Sequence, residues 1–128
     1  MGTLKIISET GMFHSACQVT TVQGANWYGF LPAVKSSPYA DGKIDRQDRS
    51  DLINHFVTFS VTDTILDAAV TRVTADYAGK KYAVLVRDCV SFSADLGRYC
   101  GLTMPPVNMT PYGLIEILKV YNDYEDSA

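Results

Sequence analysis

The chemistry available to this chain centres on three cysteines and two histidines, of which Cys89 and His14 stand in patterned surroundings. Residues 82–102 read YAVLVRDCVSFSADLGRYCGL. The apolar opening, 82–86, has strand composition. From Cys89 onward, Cys89, Phe92, Leu96, Tyr99 and Cys100 recur at helical spacing. The pattern therefore predicts a strand that hands a thiol to the first turn of a helix, with Asp88 as the N-cap. A thiol in that position faces unpaired backbone N–H groups and the positive end of the helix dipole, both of which favour a thiolate. Such settings lower a cysteine pKa from about 8.5 into roughly the 3.5–7.5 range. The Asp88 carboxylate pulls the other way, because an adjacent negative charge disfavours a second one. An imidazolium close to Cys89 would then matter more than usual.

A cysteine peptidase or amidase needs a thiolate, an imidazole that takes and returns its proton, and a polar group that orients the imidazole. His14 lies in a Val/Thr-rich segment, 13–22, that reads as a strand with His14, Ala16 and Gln18 on one face. His55 leads from a polar stretch into the next strand and is expected to be exposed, so His14 is the preferred base. Gln18 shares the face of His14 and is the first candidate for the orienting group. Asn26 and Tyr28 are the alternatives if the chain turns back at Gly24 and pairs there. The Cys89 backbone N–H is a candidate oxyanion donor. The competing readings are a hydrogen-bonded, half-buried histidine and a structural cysteine, since free cysteine behaves as a small hydrophobe. Cys17, opposite His14 on its strand, and Cys100, on the apolar half of the helix, are expected to be core. If Cys89 and Cys100 share a helix they lie about 16 Å apart along its axis and cannot bridge each other.

The elements that would position these groups alternate down the chain. Residues 3–8, 13–22 and 56–61 have strand character. Thr62 or Asp63 can cap a helix with Leu66, Val70, Val73 and Tyr77 on one stripe, stopped at Gly79. Gly101 is a C-cap for the Cys89 helix, and Pro105-Pro106 prevents its continuation. Thr110-Pro111 starts a last helix with Leu114, Leu118 and Tyr121 facing inward. Residues 33–50 are polar, carry Pro38 and Gly42, and read as a long exposed loop suited to a substrate flap. The tail from Asp123 is acidic and expected to fray. Strands first, then helices with a strand between them, give an α+β class with an antiparallel sheet packed against helices.

At 128 residues, 47% hydrophobic and 20% charged, the chain is one domain spanning 1–128 with room for a modest core. A net charge of −3 and scattered basic residues argue against nucleic acid as a partner. No apolar run approaches the 18 or so residues of a membrane span, and the N-terminus lacks the apolar core of a signal peptide. A cytoplasmic location is the default expectation, with export by a signal-independent secretion machine compatible with the same sequence. An odd cysteine count opposes a disulfide framework. No glycine-rich phosphate loop occurs, and no CxxC or HxxxH spacing links His14, His55, Cys17 and Cys89 into a metal site, so no metal or cofactor is expected.

The order of these elements resembles the circularly permuted branch of the NlpC-like papain-fold superfamily, in which a strand histidine precedes a helix-start cysteine. The residues that carry the resemblance are His14, the segment WYGFLP at 27–32, the segment YAVLVRDCVSF at 82–92, then Gly101-Leu102 and Pro105. Asparagine is usual before the cysteine and glycine before the histidine; here Asp88 and Phe13 stand instead. The resemblance implies a papain-like core with Cys89 as nucleophile and His14 as general base and acid. It further implies action on amide, peptide or acyl bonds, bacterial cell-wall peptidoglycan among them, with lipid acyltransferases in some lineages. A catalytically inactive papain-fold binding module is the alternative from a different class, with Asp88 and the long loop as its adaptations.

Overall fold

Apolar and polar residues alternate through Leu4, Lys5 and Ile6 as a strand with one buried face requires. From Ile6 to Glu9, however, every side chain is buried, so both faces of the strand are covered at that end. This first strand, β1 (Gly2–Glu9), belongs to a computed structural model that describes residues 1–10, 14–35, 37–84, 86–104 and 109–128. It pairs antiparallel with β2 (Ser15–Thr21) from Thr3↔Thr20 to Ser8↔Ser15. The chain then turns at Gly24 into β3 (Gly24–Pro32), which pairs Cys17 with Tyr28 and Gln18 with Trp27. β4 (Tyr39–Asp45) follows, then a 3-10 turn at Ser50–Leu52, and β5 (Ile53–Val61) returns along the other edge of β1.

Helix α1 (Asp63–Tyr77) begins at Thr62, whose side chain accepts the Ile65 N–H, and it is followed by Gly79 at φ 72°. A short β6 (Lys81–Ala83) leads into α2 (Cys89–Tyr99), which ends before Gly101 at φ 92°, a conformation that suits glycine. Helix α3 (Pro111–Tyr121) is capped by Thr110, with proline in its first turn. A final β7 (Asp126–Ser127) completes the sheet order β6-β4-β3-β2-β1-β5-β7, every neighbouring pair antiparallel. The α+β class with an antiparallel sheet packed against helices is the one expected from the sequence, and the arrangement is consistent with a papain-like fold.

Helix α2 packs on β2 and β3, and α3 on β1 and β5. One core fills the space between sheet and helices, built from Leu4, Ile6, Cys17, Phe30, Val57, Phe59, Phe92, Leu96 and Leu114 among others. Phe30 is its pivot: its ring meets Tyr77 edge-on at 5.0 Å and stacks with Phe92 at 6.5 Å. A smaller cluster of Ile7, Ala16 and Trp27 lies on the other face. Gly42 on β4 admits the Phe30 ring. A Cβ at Gly42 would fall 2.1 Å from a Phe30 ring carbon and 2.7 Å from the Lys80 carbonyl oxygen. Gly42→Ala is therefore expected to cost about 1–3 kcal/mol by overpacking. A shift in the urea midpoint checks this; an unchanged midpoint would mean that the strand moves freely away from Phe30.

Several expectations change. Residues 33–50 are not one loop, because β4 runs through them and pairs with both β3 and β6. The strand expected at 82–86 is confined to Lys81–Ala83, after which Ala83 accepts the Val86 and Arg87 N–H groups in a turn. Tyr121 is 55% exposed, and Ile115 takes the inward place beside Leu114 and Leu118. The acidic tail is tied down: Glu125 N–H donates to the Thr58 carbonyl, and Ala128 exchanges backbone hydrogen bonds with Phe56. Phe13, Leu85, Pro105 and Pro106 lie outside the described residues. Among those described, no helix is long and apolar enough to cross a membrane.

Candidate active site

The β1–β2 hairpin places Glu9 opposite His14, and the Glu9 N–H donates to the His14 carbonyl at 3.1 Å. Both side chains are buried, His14 to 1% exposure. The imidazole lies over Gly29, whose Cβ position would be 3.6 Å from Nε2 and 3.7 Å from the Ala16 Cβ. His14 Nε2 is 3.2 Å from Glu9 Oε2. At that distance the ring N–H still does not point along the line to the oxygen, and neither ring nitrogen has an aligned partner among the described residues. Catalytic hydrogen bonds are often poorly aligned until substrate arrives.

Behind Glu9 stands a buried ion network. Arg49 Nη1 donates to Glu9 Oε1 at 3.3 Å, while Nε and Nη2 both donate to Asp45 Oδ2, at 3.1 and 2.7 Å. Asp45 closes β4 opposite Gly29, so the strand register delivers it to the same face as the His14 ring. Burial drives the His14 pKa down to about 4, with the Arg49 guanidinium adding to the effect and Asp45 opposing it. Burial raises the Glu9 carboxyl above its ordinary value, and Arg49 pulls it part of the way back.

Cys89 begins α2 as its sequence pattern indicates. Asp88 caps the helix: its carboxylate accepts the Val90 and Ser91 N–H groups at 3.1 and 3.0 Å, and Ser91 Oγ accepts the Asp88 N–H at 2.8 Å. Two amides expected to face a thiolate are thus turned onto a carboxylate instead. The Cys89 sulfur is completely buried on the helix side of the sheet, where the backbone of Ser15, the residue after His14, favours its ionised form. The Tyr82 hydroxyl lies 4.0 Å from it. Burial pushes the thiol up to about 11, and the Asp88 charge adds to this. The Ser15 contact, the Tyr82 hydroxyl and the Val90 N–H pull the other way. The helix start therefore does not produce a thiolate here, because desolvation outweighs the dipole.

Helix α2, which Cys89 starts, packs on β2, which His14 immediately precedes, with the imidazole on the Ala16 side of the sheet and the sulfur on the helix side. Gln18 lies four residues beyond His14, roughly 13 Å along the strand at 3.3 Å per residue, between Lys5 and Trp27. Asn26 accepts from Arg46 at 3.3 Å and Tyr28 lies under the Arg46 guanidinium at 4.3 Å, so the side chain beside the imidazole is Glu9. His55, expected to be exposed, is 8% exposed: it stacks on Tyr112 at 4.3 Å and its Nδ1 bonds the Ala128 carbonyl. Cys17 and Cys100 are buried in the core. Glu9 was legible in principle, since antiparallel pairing of Ser8 with Ser15 sets Glu9 across from His14. Arg49 carries no comparable local signal. Among the described residues, no group of three His, Cys, Asp or Glu side chains is placed to hold a metal ion.

The fold is an α+β domain in which Cys89 starts α2 and His14 immediately precedes β2, rather than lying within a strand as its Val/Thr-rich segment suggests. No family model and no curated protein sequence matches the chain. Among solved structures, the type VI secretion system effector TseH matches over 93% of this chain and 87% of its own, with a TM-score of 0.64 and 14% sequence identity. At that identity the likeness is one of fold.

Proposed function

We propose that this domain is a thiol hydrolase, a peptidase or amidase. Cys89 attacks an amide carbonyl, and the His14 Nδ1 accepts the thiol proton and passes it to the leaving amine. Water then releases the acyl group from the sulfur. Glu9, rather than Gln18, orients the imidazole through Nε2. The observation that carries this reading is a buried histidine whose Nε2 lies 3.2 Å from the Glu9 carboxylate, placed just before β2, the strand on which the helix begun by Cys89 packs. A neutral imidazole is the form that can accept a proton. Reaction proceeds from an opened form in which the ring turns toward Cys89, and opening also removes the desolvation that keeps the thiol protonated. The likeness in fold to a type VI secretion system effector is compatible with export by such a machine, and bacterial cell-wall peptide is the substrate class this reading takes.

The test is digestion of purified peptidoglycan by wild type, Cys89→Ala and His14→Ala, with chromatography of the soluble products. Muropeptides released by wild type alone are expected. A second reading, an inactive papain-fold binding module, draws on the burial and neutrality of both groups. It gains if no Cys89-dependent product forms and iodoacetamide labels Cys89 no faster than Cys17 and Cys100.

A further inference from the structure

A cavity of about 630 Å³ opens beside the two halves of the site. One wall is Tyr82, whose hydroxyl approaches the Cys89 sulfur; another is Arg49, which holds Glu9 against His14. Its volume falls within the roughly 300–1,000 Å³ of small-ligand pockets, enough for a short peptide and too little for a folded domain.

The lining is chemically one-sided. Lys35 and Lys43 reach it from the segment between β3 and β4 and from β4, both exposed, and among the described residues no acidic side chain lines it. Among the described residues neither lysine takes part in an ion pair, whereas the Arg49 charge is offset by Asp45 and Glu9. With both carboxyls ionised, the buried Arg49–Asp45–Glu9 network carries −1, so the positive charge presented to the cavity comes from the two lysine ammonium groups at its rim. Pro32 and Val84 supply apolar surface beside them. Of the segment 33–50, read from the sequence as a loop suited to a flap, Lys35, Ser37, Pro38, Lys43 and Gln47 line this cavity.

We propose that this cavity holds a short peptide with a free carboxylate, the anion set against Lys35 and Lys43 and aliphatic side chains against Pro32 and Val84. This inference rests on the hydrolase reading for its choice of a peptide, and it adds the selection for negative charge. A carboxylate between two partly exposed ammonium groups gains affinity that salt screens.

The test uses Cys89→Ala protein, which cannot turn over, and two probes: N-acetyl-tetraalanine as the free acid and as its C-terminal amide. Titration followed by NMR is expected to show the acid binding about tenfold more tightly than the amide, a preference that shrinks at high salt. Adding Lys35→Gln and Lys43→Gln, both at exposed positions, is expected to bring the acid down to the level of the amide while the spectrum stays folded. Equal affinity for acid and amide, no binding of either at millimolar concentration, or full acid preference in the lysine variant would each overturn the assignment. Because binding is read without turnover, selective binding with no Cys89-dependent cleavage would sink the hydrolase and leave the cavity standing. Cleavage without acid preference would do the reverse.

Discussion

Arg49→Ala is expected to cost the fold about 3–5 kcal/mol at neutral pH, far more than an ordinary surface arginine, because it leaves two buried carboxyl groups facing each other without their cation. Glu9 and Asp45 approach the same guanidinium from different elements, the end of β1 and the end of β4, so Arg49 also ties the hairpin to the far strand. The penalty has a definite pH signature. Burial already raises the Glu9 pKa, and Arg49 is what opposes that rise. Without the cation, the folded-state pKa climbs further above the unfolded value. A carboxyl of that kind is most destabilising when ionised in the unfolded chain and is relieved as pH falls through its folded pKa. The deficit in Arg49→Ala should therefore narrow in acid, and Arg49→Ala combined with Glu9→Gln and Asp45→Asn should recover much of it. Urea unfolding of the three proteins at two pH values decides the matter. A neutral-pH loss below 1 kcal/mol would show that the network is not held charged.

That network also marks where sequence reasoning stops. Helix starts were legible because caps and stripes are local: Thr62, Asp88 and Thr110 lie next to the turns they cap. The position of Cys89 follows from the same locality. Its ionisation does not, since it depends on how much of the fold covers the sulfur, and coverage is a property of packing between distant elements. Gln18 was chosen by strand periodicity, which finds residues on a face but says nothing about how far along the strand they stand. The partner across a hairpin turn is nearer than the next residue on the same face, and that favours Glu9. β4 was hidden because Tyr39–Asp45 is polar and alternates weakly, and its strand form comes from pairing with β3 and β6. The tail of the chain likewise gains its order from the edge of β5, where unpaired backbone groups accept a short added strand.

Acid is expected to destabilise the protein through His14. In the unfolded chain the imidazole titrates near 6.5, whereas in the fold burial and Arg49 lower it to about 4. The neutral ring is the form the fold accepts, so its contribution is complete above the unfolded pKa. It declines as pH falls, because the unfolded chain takes up the proton first, and it is gone once pH passes the folded value. Integrated over that window, the difference amounts to about 3 kcal/mol. Glu9 acts with the opposite sign: its raised pKa lets the fold bind a proton before the unfolded chain does, which offsets part of the loss. His14→Gln separates the two. Wild-type stability should fall between pH 6.5 and 4, while the variant, which keeps only the Glu9 term of this pair, should hold level or gain over the same range. Urea midpoints at pH 7, 6, 5 and 4.5 provide the comparison. Parallel curves for the two proteins would mean that the His14 ring titrates normally in the fold, and with it would go the neutral, proton-accepting imidazole on which the proposed chemistry depends.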